Sequence, residues 1–188
     1  STFSSISHLA LGRWPASSLY YLNGKLDQVR FFNKALSSTE VTTLYNETHA
    51  STTISTTDIF DDNSGVALYQ LDGNANDTGG VSGYIGAGGI FNGSSSIITI
   101  TKDAFTTKNL FSVSFWVNTT STTFSNLIGT GGYSSSNSGW TIYMSSSGYI
   151  LFRGVNSTWA GYDLDATTNA INDGNWHNIV LTYTTNGN

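Results

Sequence analysis

Within six residues, Asp72, Asn74, Asn76 and Asp77 bring carboxylate and amide oxygens together. Hard cations are held by oxygens of this kind, so calcium is the metal this cluster would take. The same four residues also suit Asx turns, in which each side chain caps nearby backbone in an irregular loop. Asp58, Asp61 and Asp62 form a second, weaker acidic cluster. Sugar recognition calls for a different set: aromatic faces to stack on rings, and short polar groups to meet hydroxyls. Trp14, Tyr133, Trp140, Trp159 and Tyr162 lie near Gly- and Ser-rich stretches where such a platform could form. Trp159-Ala160-Gly161-Tyr162-Asp163 is the best candidate, because it reads as a loop and belongs to no apolar alternation.

Catalysis finds less support. Hydrolysis of a glycosidic bond needs two carboxylates flanking it, about 5 Å apart when configuration is retained. The two glutamates, Glu40 and Glu47, both fall in or beside one short helical segment. Asp163 and Asp165 are the close acidic pair in the body of the chain, in what reads as a polar loop. The expectation is a protein that is not an enzyme. His8, His49 and His177 are scattered, and His177 alternates with apolar positions as a packed strand residue does. Gly86-Ala87-Gly88-Gly89 lacks the Lys and following helix of a phosphate loop, so its glycines read as turn chemistry. Zero cysteines exclude thiolate metal sites, thiol catalysis and disulfides.

Charged residues are 10% of the 188, against about 25% in an ordinary soluble domain. Ser, Thr and Asn number 27, 26 and 18, so the surface is hydroxyl and amide rather than ionic. A net charge of −5 with seven Lys and Arg argues against a nucleic-acid partner, which wants a basic face. No apolar run reaches the length of about 18 that a membrane helix needs, so no membrane insertion is expected. Hydrophobic residues at 38% and aromatics at 13% suffice for a packed core. The hydroxyl-rich, Lys-poor composition suits an extracellular setting, at a cell or virion surface. Asn46, Asn76, Asn92, Asn118 and Asn156 head Asn-X-Ser/Thr sequons and are candidate glycosylation sites, at the frequency this composition gives by chance. A chain that opens on Ser1 and stops at Asn188 in a polar turn reads as a piece of something longer, or as a processed product.

The elements that would position these residues are mostly strands. Phe111, Val113, Phe115 and Val117 alternate with Ser112, Ser114, Trp116 and Asn118. One face therefore belongs to a core and the other to solvent or partners. His177, Ile179, Leu181 and Tyr183 repeat the pattern after Asn172-Asp173-Gly174-Asn175. Trp140–Met144 and Tyr149–Arg153 flank Ser145-Ser146-Ser147-Gly148, a hairpin signal. Further strands are predicted at Val66–Leu71, Ser96–Ile100, Leu26–Phe32 and Leu9–Leu11. One short helix is predicted at about 37–47, where Ser37 and Glu40 fit a capping box and Val41, Leu44 and Tyr45 form an apolar stripe. The fold class is all-β, an antiparallel β-sandwich or jelly roll with that single helix.

Asn23-Gly24-Lys25-Leu26-Asp27-Gln28-Val29-Arg30-Phe31-Phe32-Asn33-Lys34-Ala35-Leu36-Ser37, with Glu40 and Leu44-Tyr45 behind it, resembles the C-terminal signature of laminin G-like domains. These belong to the concanavalin A-like lectin and glucanase superfamily. Leu68-Tyr69-Gln70-Leu71-Asp72-Gly73-Asn74-Ala75-Asn76-Asp77-Thr78-Gly79 resembles the opening of the same family, and Phe91-Asn92-Gly93-Ser94-Ser95-Ser96-Ile97 its next landmark. Phe111–Val117 and Asp173–Tyr183 resemble the two strands after that. The resemblance implies a concanavalin A-like jelly roll, and calcium carried on loops as in many relatives.

The order is displaced: the family's ending occupies about 9–47, and its beginning and middle about 66–185. Residues 1–188 then form one permuted domain, with 1–47 as the family's C-terminal part, 48–64 as a linker or donated arm, and 65–188 as its N-terminal and middle part. The alternative is one frame of a tandem array. The family continues beyond Tyr183 into a further hairpin, so an open sheet edge is expected, to be completed by copies of itself or by adjacent repeats. The expected role is a structural or adhesive building block of a surface fibre. The alternative is a lectin-like module that binds glycans through Trp159, Tyr162, Asp163, Tyr133 and Trp140, with calcium as its metal.

Overall fold

The apolar alternations fold as strands where the sequence places them. The computed structural model describes residues 9–15, 18–47, 57–71, 81–82, 87–100, 110–130, 139–155, 161–165 and 167–184. Its elements are β1 (Leu9–Leu11), β2 (Asn23–Phe32), α1 (Ser38–Tyr45), β3 (Gly65–Tyr69), β4 (Val81–Ser82), β5 (Ala87–Asn92) and β6 (Ile98–Ile100). They continue with β7 (Leu110–Asn118), β8 (Ser125–Gly129), β9 (Gly139–Met144), β10 (Ile150–Val155), β11 (Gly161–Asp165) and β12 (Trp176–Thr184). The strands form two antiparallel sheets, as the all-β fold class requires. One runs β11-β10-β9-β8-β1-β6 and the other β12-β7-β2-β5-β4, with β3 also paired to β2. The first part of the chain thus supplies an interior strand to each sheet.

The chain divides into two compact units. The first comprises Ser1–Gly24, Phe91–Lys108 and Asn118–Asn175. Its core side chains include Leu9, Leu11, Ile128, Trp140, Ile142, Met144, Ile150 and Phe152, all buried. The β9–β10 hairpin closes as its sequence predicts: the Gly148 N–H donates to the Ser145 carbonyl at 2.9 Å. Gly148 adopts a φ of +87°, which glycine reaches without a Cβ penalty.

The second unit comprises Lys25–Ile90, Asn109–Val117 and Trp176–Asn188. In β7, Phe111, Val113, Phe115 and Val117 are buried, and so are Ser112, Ser114 and Trp116 opposite them. That second face was expected to meet solvent or partners, and part of it is instead covered by α1 and the turn before it. The Ser112 hydroxyl accepts the Leu36 N–H at 3.1 Å and donates to the Lys34 carbonyl at 2.8 Å. Trp116 stacks on Tyr45 at 5.8 Å.

Helix α1 starts on the predicted capping box, with the Ser37 N–H donating to the Glu40 carboxylate at 2.7 Å. Its inner face packs Val41 and Leu44 with Phe32, Leu36, Ile59, Phe60 and Val180. Full burial of Leu44 contributes about 1.5–3 kcal/mol on transfer arithmetic. Ile59 and Phe60 belong to the stretch 48–64, and in this part it packs against α1 and β2.

Two loop expectations are corrected. Gly88 and Gly89 lie buried within β5 rather than in a turn. Asp163 and Asp165 lie in β11 rather than in a polar loop. Pairing of β5 with β4 and of β11 with β10 overrides the low strand propensity of Gly and Asp at these positions.

Candidate functional site

The first unit carries a concave aromatic pocket of about 230 Å³, lined by Trp14, Tyr20, Phe124, Asn126, Thr141, Tyr143 and Arg153. One wall comes from the loop between β1 and β2. Gly12 turns the chain at a φ of +78°, and a Cβ there would lie 1.9 Å from the Phe91 ring. The Leu22 N–H returns to the Gly12 carbonyl at 2.8 Å, so the loop is closed at its base. Within it Arg13 donates to the Tyr21 hydroxyl at 3.3 Å and lies over the same ring. The Asn126 backbone N–H donates to the Tyr20 carbonyl at 2.9 Å and fastens the loop to β8. Tyr20 sits at a φ of +65°, a left-handed backbone that costs a non-glycine residue roughly 1–3 kcal/mol.

Phe124 arrives from the opposite side, at the end of a hydroxyl-laced turn. The Thr119 hydroxyl donates to the Asn23 carbonyl at 2.6 Å and accepts the Ser121 N–H at 3.0 Å. The Asn172 side-chain amide holds the Ser121 carbonyl at 3.0 Å. The rings then form one continuous arc. Trp14 and Tyr20 are 6.0 Å apart, Tyr20 and Phe124 meet edge to face at 5.1 Å, and Phe124 and Tyr143 lie 4.8 Å apart. Tyr20 and Phe124 are 42% and 41% exposed and form the rim.

The floor is polar and buried. Asn126, Thr141 and Tyr143 are 2%, 6% and 8% exposed. Asn126 pairs with Tyr143 across β8 and β9, and Thr141 pairs with Arg153 across β9 and β10. The Thr141 hydroxyl donates to Asn126 Oδ1 at 2.6 Å. Asn126 Nδ2 has no hydrogen-bond partner among the described residues. A buried unpaired donor costs about 1–3 kcal/mol, which an acceptor placed against it would recover.

The sequence-predicted residues scatter around this pocket. Trp140 is corrected: it is wholly buried, its ring 6.4 Å from Phe152, so it belongs to the core rather than to a surface platform. Asp163 is in register with Arg153, in the strand row that also holds Thr141. Tyr162 is in register with Gly154, in the row of Trp140. Trp159 and Tyr133 lie outside the described residues, and so do Asp72, Asn74, Asn76 and Asp77. Among the described residues no group of three His, Asp or Glu could hold a metal ion.

In the weaker acidic cluster, the Asp58 carboxylate accepts the Asn63 and Gly65 N–H groups at 2.6 and 3.3 Å. Asp62 and Glu40 both bind the Lys34 ammonium, which lies over the Phe60 ring. The Lys34 hydrogen bond is the main reason the Asp62 carboxyl is lowered to about 2 and the Glu40 carboxyl lies below its ordinary value. Hydrogen bonds to Asp62 and then Glu40 raise Lys34 in turn. A second polar knot joins Arg30 of β2 to Glu47 in a two-pronged ion pair, with both side chains largely buried.

Of the sequons, Asn46 is exposed at the end of α1. Asn92 Oδ1 accepts the N–H groups of Ser94, Ser95 and Ser96, and Asn118 Nδ2 donates to the Gly174 carbonyl at 2.6 Å. Asn76 and Asn156 fall outside the described residues. Sequence reasoning named Trp14 but missed Tyr20, Phe124, Asn126, Thr141, Tyr143 and Arg153. Tyr20 and Phe124 border polar stretches, which was the available signal.

Among the described residues, two antiparallel sheets and one short helix are the elements of a concanavalin A-like β-sandwich. The family model described as the concanavalin A-like lectin/glucanases superfamily, of laminin G-like type, matches residues 92–188. The chain belongs to that superfamily. No curated protein and no solved structure matches it.

Proposed function

We propose that the chain is a non-enzymatic, extracellular carbohydrate-binding module that takes a sugar residue in the pocket of Trp14, Tyr20, Phe124 and Tyr143. The observation that carries this reading is the arc of four rings over a buried amide and hydroxyl floor. Aromatic faces meet the C–H faces of a pyranose, while Asn126, Thr141 and Arg153 offer polar groups to its substituents. Asp163 is in backbone register with Arg153. Calcium enters through Asp72, Asn74, Asn76 and Asp77, and glycan binding indifferent to chelation rejects that part.

A glycan array followed by titration tests the reading. Binding should fall on the order of tenfold in Phe124→Ala and in Tyr20→Ala, with circular dichroism unchanged. No glycan signal, or unchanged binding in both variants, contradicts it.

Assembly is the second reading, favoured by the position of β12. Among the described residues this nine-residue strand comes last in its sheet, next to β7. An edge strand in that place is a template for a strand donated by another copy or by an adjacent repeat, as in a surface fibre. Concentration-dependent polymers in size-exclusion chromatography and electron micrographs support it. A stable monomer at all concentrations rejects it.

A further inference from the structure

The floor of the aromatic pocket narrows the ligand further, and this step rests on the carbohydrate reading above. Asn126 is 2% exposed, and its two amide atoms are in opposite states. Its oxygen is engaged by the Thr141 hydroxyl at 2.6 Å, which also commits the threonine proton. Its nitrogen has no partner among the described residues. Arg153, also in the lining, is a donor with no acceptor atom. Among the described lining residues there is no carboxylate, the group that would take the proton of a sugar hydroxyl. A hydroxyl placed on the floor would accept from Asn126 and, among the described lining side chains, would find only neutral oxygens for its own proton. A carbonyl oxygen is an acceptor alone and fits this donor-biased floor better.

The volume points the same way. At about 230 Å³ the pocket lies below the span of roughly 300–1,000 Å³ usual for drug-sized ligands. It suits one sugar residue or a compact substituent rather than an oligosaccharide. Phe124 and Tyr143, 4.8 Å apart, offer ring surface for a methyl group beside the amide donor. We infer that the pocket selects N-acetylated sugars, with the acetamido carbonyl accepting from Asn126 Nδ2 and the acetyl methyl lying against the Phe124 and Tyr143 rings.

The test is a titration of the full chain with N-acetylglucosamine, N-acetylgalactosamine, glucose, galactose and glucuronate. Affinity is read from amide chemical shifts and ligand contact from saturation-transfer difference spectra. The N-acetyl sugars should bind on the order of tenfold more tightly than their parent hexoses, with the strongest transfer to the acetyl methyl. Asn126→Leu, close in volume and without donors, should erase that preference. Where this variant does not fold, the methyl saturation signal of the wild type still decides. Equal affinity for N-acetylglucosamine and glucose overturns the acetamido inference and leaves the carbohydrate reading standing. Preference for glucuronate also overturns it, assigning selection to charge. Failure of every sugar to bind removes both readings.

Discussion

The backbone N–H of Asn126 donates to the carbonyl of Tyr20 at 2.9 Å, tying the β1–β2 loop to the strand whose side chain forms the pocket floor. Rim and floor are therefore positioned by one hydrogen bond between two residues far apart in the chain. The rim should respond to mutation in binding, and the core behind it in stability. Tyr20→Ala and Phe124→Ala remove half-exposed rings and should weaken glycan binding while moving the melting temperature little. Trp140→Ala removes a wholly buried ring and should cost about 3–5 kcal/mol in urea unfolding.

Gly12 is the hinge of the same loop. Its positive φ and the Phe91 ring 1.9 Å from a notional Cβ leave no room for alanine. Gly12→Ala should destabilise by about 1–3 kcal/mol and reduce sugar affinity as well, because the loop carries Trp14 and Tyr20. Chemical denaturation and titration of the one variant measure both effects.

Arg30 and Glu47 form a largely buried pair, so neither charge is tolerated alone. Glu47→Gln or Arg30→Met should each cost about 3–5 kcal/mol, and Arg30→Met with Glu47→Leu should recover most of the loss. A double-mutant cycle with additive single costs contradicts the pairing.

The Lys34 cluster predicts a pH dependence. The folded Asp62 and Glu40 carboxyls lie below their ordinary values, so their contribution is present above those ordinary values and is lost as pH falls through the lowered ones, about 2 for Asp62. Lys34 is raised, so its contribution is present below its ordinary value and fades as pH climbs through the raised one. These groups are solvent-screened, so the effect is small. Unfolding midpoints between pH 2 and 5 should show a weaker acid decline in Lys34→Met than in the wild type.

Glycosylation should follow side-chain engagement. In a eukaryotic secretory host, mass spectrometry should find Asn46 occupied, since it is exposed beyond the helix. Asn118, whose amide is spent on the Gly174 carbonyl, should be found bare.

Much of the fold was legible because apolar side chains on a core face recur with a period of two, even where polar residues opposite them are covered as well. β7, β9, β10 and β12 carry that pattern, and the Ser37–Glu40 capping box marked α1. β8 was missed because Ser125 and Asn126 are polar yet buried, so no alternation appears. β5 was missed because Gly88 and Gly89 read as a turn, and β11 because Gly161 and Asp163 gain strand structure from pairing with β10. The pocket was less legible still. Trp14 and Tyr20, Phe124 and Asn126, and Thr141, Tyr143 and Arg153 come from separate stretches, joined by sheet registers that no local pattern records.

The central claim is that sugar binds over Asn126 within the aromatic arc. Its most direct test is an amide and side-chain chemical-shift titration with the tightest glycan from the array. The account predicts saturable shifts concentrated at Trp14, Tyr20, Phe124, Asn126, Thr141 and Tyr143, including the Asn126 side-chain amide. Saturable shifts that cluster elsewhere, or none at all, would contradict it.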